Sequence, residues 1–239
     1  MDKRKIIIVS AIVLTVVFVV SSIICVHELH EYNVAQKEYA EILVHNTTSI
    51  AKPAQTYSGS GSSEAINIIT DPDAPDFDLP DLVINFRDLV QTNSDCIGWI
   101  YIPSLDVSYP VVQSADNIEY ITTTFNGTEN MAGCIFSDCR ITAPFVQKTI
   151  LYGHNMKNGS MFHKLFEIEK NPEDNSDIWI YLTNVSIYHY SVDKVERVSM
   201  TDKNVYSVSS TYSDELILST CIKNETRLVV VAKRDWVYV

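Results

Sequence analysis

The chain has 239 residues, with 30 acidic against 18 basic side chains, a formal net charge of −12 and 46% hydrophobic residues. That acidic balance argues against nucleic acid as a partner and suits an exported globular domain. The length leaves room for one domain with its own core beside smaller flanking segments.

In chain order, the first element is an almost wholly apolar run of 21 residues, Ile6 to Val26. At about 1.5 Å per residue it crosses a hydrocarbon core of about 30 Å. Lys3, Arg4 and Lys5 precede it, so residues 1–5 are expected to form a cytoplasmic tail, 6–26 a membrane anchor, and everything after Val26 to lie outside the cell. A cleaved signal peptide is the competing reading. The run is long for one, and His27-Glu28-Leu29-His30 lacks the small residues of a cleavage site. Glu28 to Val44 mixes charged with scattered apolar residues and predicts a short helix. Asn46 to about Pro80 reads as a linker, with Ser58-Gly59-Ser60-Gly61-Ser62-Ser63 and then an acidic, proline-containing stretch from Asp71. Residues 27–80 are thus expected to be a juxtamembrane segment and linker ahead of a folded domain over 81–239. From Asp81, the positions of Leu82, Val83, Phe86, Leu89 and Val90 have helical spacing.

Within that domain Lys148 to Tyr152 predicts a strand, and Gly153 allows a sharp exit from it, leaving His154 at a strand-to-loop junction. A short helix is predicted around Met161, Phe162, Leu165 and Phe166, with Asn158 or Ser160 as its cap. Strands are expected at Trp179–Leu182 and Ser186–Val195. Glu215–Cys221 and Arg227–Ala232 are two more, joined by the polar turn Ile222 to Thr226. If that hairpin closes symmetrically, Cys221 and Arg227 stand opposite one another on the same face. The chain ends on a strand-like run, Asp235 to Val239.

A thiol, an imidazole and a guanidinium at strand ends of one domain suffice for acyl transfer through a thioester. Each also has an ordinary reading: a cysteine in an apolar strand is commonly inert, a histidine a satisfied polar residue, and an arginine at a strand start solvated or ion-paired. The combination, not any one residue, carries the expectation. The other cysteines add no metal or redox motif. Cys25 lies in the apolar run, Cys96, Cys134 and Cys139 in the folded domain, and no CxxC pair occurs. Cys134 and Cys139, five apart, would face opposite sides of a continuous strand, so no structural disulfide, metal or cofactor is expected. His27, His30 and Glu31 read as a solvated helix face.

Leu218-Ser219-Thr220-Cys221, Tyr152-Gly153-His154-Asn155-Met156 and Arg227 resemble the catalytic motifs of sortases. The resemblance extends upstream to Gly98-Trp99-Ile100-Tyr101-Ile102-Pro103, to Tyr109-Pro110-Val111-Val112-Gln113 with Asp116-Asn117, and to Phe136-Ser137-Asp138-Cys139-Arg140, which is similar to the Phe-x-Asp-x-Arg segment of class B. It covers roughly residues 81–235, in several blocks in the same order. Ile217 stands where the family usually has threonine, and Val198–Asp214 is shorter than the helical insertion usual in class B.

The resemblance implies a mainly β fold with short helices, a closed sortase-type barrel of about eight strands behind the transmembrane helix. It implies a membrane-anchored cysteine transpeptidase with Cys221 as nucleophile, His154 as general acid and base, Arg227 stabilising the oxyanion, and Asn117, Ile121, Ser219 and Thr220 lining the substrate groove. Its partners would be surface proteins with LPxTG- or NPxTG-like sorting signals, cleaved between Thr and Gly, and an amine of peptidoglycan or its lipid-linked precursor. A pilin-polymerising sortase, a non-catalytic membrane-tethered binding module and a thiol redox protein are the alternatives. The Asn-x-Ser/Thr sequons at Asn46, Asn126, Asn158, Asn184 and Asn224 are then chance, since the resemblance implies a bacterium.

Overall fold

A computed structural model describes residues 3–48, 79–174 and 176–238. The chain opens with one 44-residue helix, α1 (Lys3–Asn46). No glycine or proline interrupts it, so nothing in the backbone separates the apolar run from the mixed segment that follows. The predicted short helix at Glu28–Val44 is therefore the second half of α1. The first half exposes Ile7, Leu14, Phe18 and Ile24. Its apolar window has a mean hydropathy of 2.9 with none of it buried, long and apolar enough to cross a membrane by length and composition. The second half buries Ala35, Tyr39 and Ile42, a stripe at helical spacing that joins the main core.

Two expectations fail just beyond it. Thr47–Thr48 (β1) is not linker but pairs antiparallel with Val83–Ile84 (β2). Leu82 and Val83 accordingly lie outside any helix, and α2 runs only from Phe86 to Thr92. Asn85 caps it, its Oδ1 accepting from Asp88 N at 3.4 Å while its Nδ2 donates to Asp88 Oδ2 at 2.7 Å. Helical spacing was present at Leu82 and Val83, but the Asn85 cap overrides it. The rest of the expected linker, 49–78, lies outside the described residues.

The remaining elements are β3 (Cys96–Ile102), β4 (Val107–Val112), α3 (Glu119–Thr122), β5 (Ile135–Ser137), β6 (Thr149–Tyr152), α4 (Leu165–Lys170), β7 (Asp177–Leu182), β8 (Ile187–Ser199), α5 (Lys203–Tyr206), β9 (Glu215–Lys223) and β10 (Thr226–Tyr238). Strands β3 to β10 form a closed barrel in the order β10-β8-β7-β3-β4-β5-β6-β9, with β9 pairing back onto β10. Two of its junctions, β4–β5 and β6–β9, are parallel; the others are antiparallel. Closure leaves no long unpaired edge.

Side chains alternate across the barrel wall, as period two requires. From β9, Leu216 and Leu218 enter the main core with Leu228, Val230 and Ala232 of β10. Ile217, Val229 and Val231 face the other way into a second cluster with Ile141, Ile150 and Val205. Ile217 is thus an apolar support beneath the α5 segment. The predicted helix after His154 exists as a 3₁₀ turn, Phe162–Lys164, running into α4. Neither expected cap serves it. Met161 occupies that position at φ +55°, and Asn158 Oδ1 instead accepts from Ser160 N and Oγ.

Candidate active site

The β9–β10 hairpin brings Cys221 and Arg227 into direct register. It does not close symmetrically. Thr226 pairs with Lys223 around a tight Asn224–Glu225 turn, and Asn224 takes φ +54°. A register shift between Thr226 and Arg227 then restores the Cys221–Arg227 pair. Arg227 Nη1 donates to Cys221 Sγ at 2.6 Å. The alternation that sends Thr220 inward turns Ile217, Ser219 and Cys221 outward, so the thiol lies on the outer wall of the barrel.

His154 reaches the same wall from β6, which runs parallel to β9 with Tyr152 opposite Ser219. Gly153 N donates to Ser219 O at 3.2 Å. The reason for glycine at 153 is space: an added Cβ would meet Ile135 Cδ1 at 2.5 Å and Phe162 at 2.7 Å. Asn155 ties the loop down, its Nδ2 donating to the Cys221 carbonyl at 2.8 Å while its Oδ1 faces His163 Nδ1 at 2.7 Å. His154 Nε2 lies 2.7 Å from the Ile121 carbonyl oxygen. A carbonyl can only accept, so this nitrogen carries a proton and Nδ1 is left as the basic position of the neutral ring.

A cleft of about 710 Å³ holds all seven residues singled out from the sequence: Asn117, Ile121, His154, Ser219, Thr220, Cys221 and Arg227. They do not play equal parts. Thr220 is buried, and its hydroxyl donates to Gly153 O at 2.8 Å, which fastens β9 to β6. Ser219 is buried too, with its Oγ 2.9 Å from Tyr206 OH. Asn117 Oδ1 accepts from Cys139 N at 2.7 Å. Ile121 exposes its side chain at the cleft and offers its carbonyl to His154.

Sequence reasoning missed one wall. Asp138, fully buried, accepts from Arg140 Nε at 2.8 Å, Arg140 Nη2 at 2.7 Å and Tyr152 OH at 2.9 Å. Burial alone would raise its pKa, but the Arg140 guanidinium and the other donors outweigh burial and lower it to about 2. Arg140 Nη2 also donates to Tyr206 O at 3.1 Å, and the Tyr152 and Tyr206 rings stack at 6.3 Å. Burial, followed by the Asp138 charge, pushes the Tyr152 phenol well up. This network pins the one-turn α5 segment over the cleft. The Asp-x-Arg spacing was visible in the sequence, but its link to Tyr206, far along the chain, was not. Of the other thiols, Cys96 and Cys134 are buried in the core, and burial pushes both up to about 12.

The sortase domain model matches residues 100–235. Sortase B of Listeria monocytogenes is 46% identical over 80 residues, which is 33% of this chain and 32% of that protein. Sortase B of Staphylococcus aureus is 29% identical over 182 residues, 62% of this chain and 73% of that one. Its substrate-complex structure superposes with a TM-score of 0.56 at 25% identity, over 63% of this chain and 84% of that one. Sortase B of Bacillus anthracis shares the fold over 86% of this chain and 98% of its own, with a TM-score of 0.60 and 24% identity. The β8–β9 connection of this chain carries the single-turn α5. The relatives it resembles are class B sortases, and with the domain model covering more than half of its length, the chain belongs to the sortase family.

Proposed function

We propose that this protein is a membrane-anchored cysteine transpeptidase that cleaves a C-terminal sorting signal between Thr and Gly and transfers the Thr carbonyl to an amine of peptidoglycan or its lipid-linked precursor. The observation that carries this reading is the 2.6 Å contact from Arg227 Nη1 to Cys221 Sγ, in the cleft that also holds His154.

The thiolate is the attacking form of a cysteine: the Cys221 thiol proton passes to His154 Nδ1, and the Arg227 guanidinium beside Sγ stabilises the charge left on sulfur. Attack of Sγ on the Thr carbonyl carbon forms a C–S bond and puts negative charge on the carbonyl oxygen. Arg227, permanently charged and held by the hairpin, stabilises that oxyanion. Collapse breaks the Thr–Gly C–N bond, and His154 delivers a proton to the departing amine. The thioester then meets an incoming amine, which loses a proton to His154 as the new amide forms and the thiolate leaves. The two halves imply ping-pong kinetics. The Ile121 carbonyl keeps the imidazole ring in one orientation across both steps.

In a test with the full chain in detergent, mixed with Leu-Pro-x-Thr-Gly and Asn-Pro-x-Thr-Gly peptides, intact-protein mass is expected to show an acyl adduct with one of the peptides and none in Cys221→Ala. An adduct that persists in Cys221→Ala would overturn the assignment of the nucleophile. Adding a peptidoglycan-stem amine should release the adduct as a ligated product; release only by water would overturn the transpeptidase reading.

A further inference from the structure

From Lys3 to Asn46 α1 is unbroken, so the half carrying the apolar run and the half packed on the barrel form a single rod. The barrel meets that rod soon after the apolar run ends. Glu28 Oε2 lies 3.8 Å from Lys157 Nζ. The Glu31 backbone carbonyl accepts from Asn130 Nδ2 at 3.0 Å, and its carboxylate accepts from Met131 N at 3.4 Å. Two turns further on, Glu38 accepts from Thr124 Oγ1 at 2.9 Å and Asn126 N at 3.1 Å. At the far end Asn46 O accepts from Asn85 N at 2.8 Å, next to α2. These contacts rank the parts of the barrel by height along the rod. The Lys157 loop and the Asn130–Met131 turn are lowest, and α2 is highest.

The next step rests on the anchor reading proposed above. With residues 6–26 in the bilayer, Glu28 and Glu31 follow the hydrocarbon edge by about 3 and 8 Å, at 1.5 Å of rise per residue. The headgroup layer on each side is roughly 5–8 Å deep. The lowest loops therefore fall at headgroup depth. They are also the loops that flank the site. Lys157 lies just after His154 in the chain. Asn130 N donates to Thr122 O at 2.8 Å and Cys134 N to Tyr120 O at 3.0 Å, strapping the turn to α3, whose Ile121 carbonyl holds His154. Ile118 is 72% exposed and Ile121 38% exposed, an apolar pair one turn apart at that helix.

We propose that the barrel rests on the lipid surface through the Lys157 loop, the Asn130–Met131 turn and Ile118 and Ile121, so that the His154 side of the cleft opens into the headgroup layer. The partner is the bilayer surface itself. The rod imposes the contact, not charge attraction: Glu119 and Glu129 belong to the same segment as the turn, and the chain's net charge is −12. A reactant tethered in the same bilayer would meet the cleft at its own depth, which raises its effective concentration without any added affinity.

The full chain, reconstituted in phosphatidylcholine–phosphatidylglycerol vesicles, would carry the photoreactive residue p-benzoylphenylalanine in place of Val16, Ile118, Lys157 or Val90, with lipid adducts read by mass. Adducts are expected at Val16, Ile118 and Lys157 and not at Val90, on α2. Adducts at Val16 without any at Ile118 or Lys157 overturn the proposal and leave the anchor standing. No adduct at Val16 removes the anchor reading and this proposal with it. Adducts at Val90 as abundant as at Lys157 mean that the barrel has no fixed height, and overturn the proposal. A Gly-Gly-Ser-Gly insertion after Val26 should abolish the Lys157 adducts and keep those at Val16; undiminished Lys157 adducts would overturn the role of the rod.

Discussion

Cys221 and Arg227 are six positions apart in sequence yet in contact, because a hairpin folds one onto the other. A lysine has neither the reach nor the fork of this guanidinium. Arg227→Ala is expected to lower kcat/KM by about 10²–10³, the usual loss for one oxyanion donor. Arg227→Lys should recover only part of it, in steady-state assays of peptide turnover. Asp138 makes a different prediction. Its folded pKa, about 2, lies below the ordinary value, which is about 3.9 for an unfolded chain. A depressed carboxylate contributes stability above the unfolded pKa and loses it as pH falls through the folded one. Asp138→Asn should therefore cost about 1–3 kcal/mol near neutral pH. The gap from wild type should shrink between the ordinary carboxylate range and the folded value, which denaturant titrations across that interval would reveal. Gly133 offers a third test. It sits at φ +55°, and an added Cβ would come within 2.6 Å of the Ile121 carbonyl oxygen. Gly133→Ala is expected to disturb the acceptor of His154 and to lower kcat more than it raises KM.

Among the elements, the hairpin was the most legible, while α1 was legible as helix over 6–26 and 28–44 but not as a face packed on the barrel. The β-branched run of β10 and the short polar turn announced a hairpin, and the Cys221–Arg227 register emerged although the turn is tighter than expected and a bulge makes up the difference. The second half of α1 was harder to read because its buried stripe is only Ala35, Tyr39 and Ile42, while Glu31 and Glu38 point at the barrel and bond to its loops. Carboxylates on a buried-facing side look like solvated ones in sequence. The wall built on Arg140 and Tyr206 was hidden for another reason: its partners are brought together only by the closed barrel. Tyr39 is the keystone of the helix contact, bonded to the Gly133 carbonyl and packed edge-on against Tyr109 at 5.4 Å. Tyr39→Ala should cost about 3–5 kcal/mol in chemical denaturation, as expected for a buried aromatic, whereas Tyr39→Phe should cost about 1–3 kcal/mol for the orphaned carbonyl.

For the molecule as a whole, the folded unit includes the second half of α1. A chain starting at His27 is expected to melt in one transition, and one starting at Asp81 to melt lower and less cooperatively, because removing the helix strips cover from the Tyr109 and Gly133 side of the core. Calorimetry of the two would decide. The closed barrel has one more consequence. Its β6–β9 junction is parallel and joins segments far apart in sequence, whereas the β9–β10 hairpin is local. Local pairings form early and distant parallel ones late. A half-folded chain can thus hold its thiol beside the guanidinium while still lacking its imidazole. Turnover begins only when the last seam is sewn, which makes activity regained during refolding a direct clock for barrel closure.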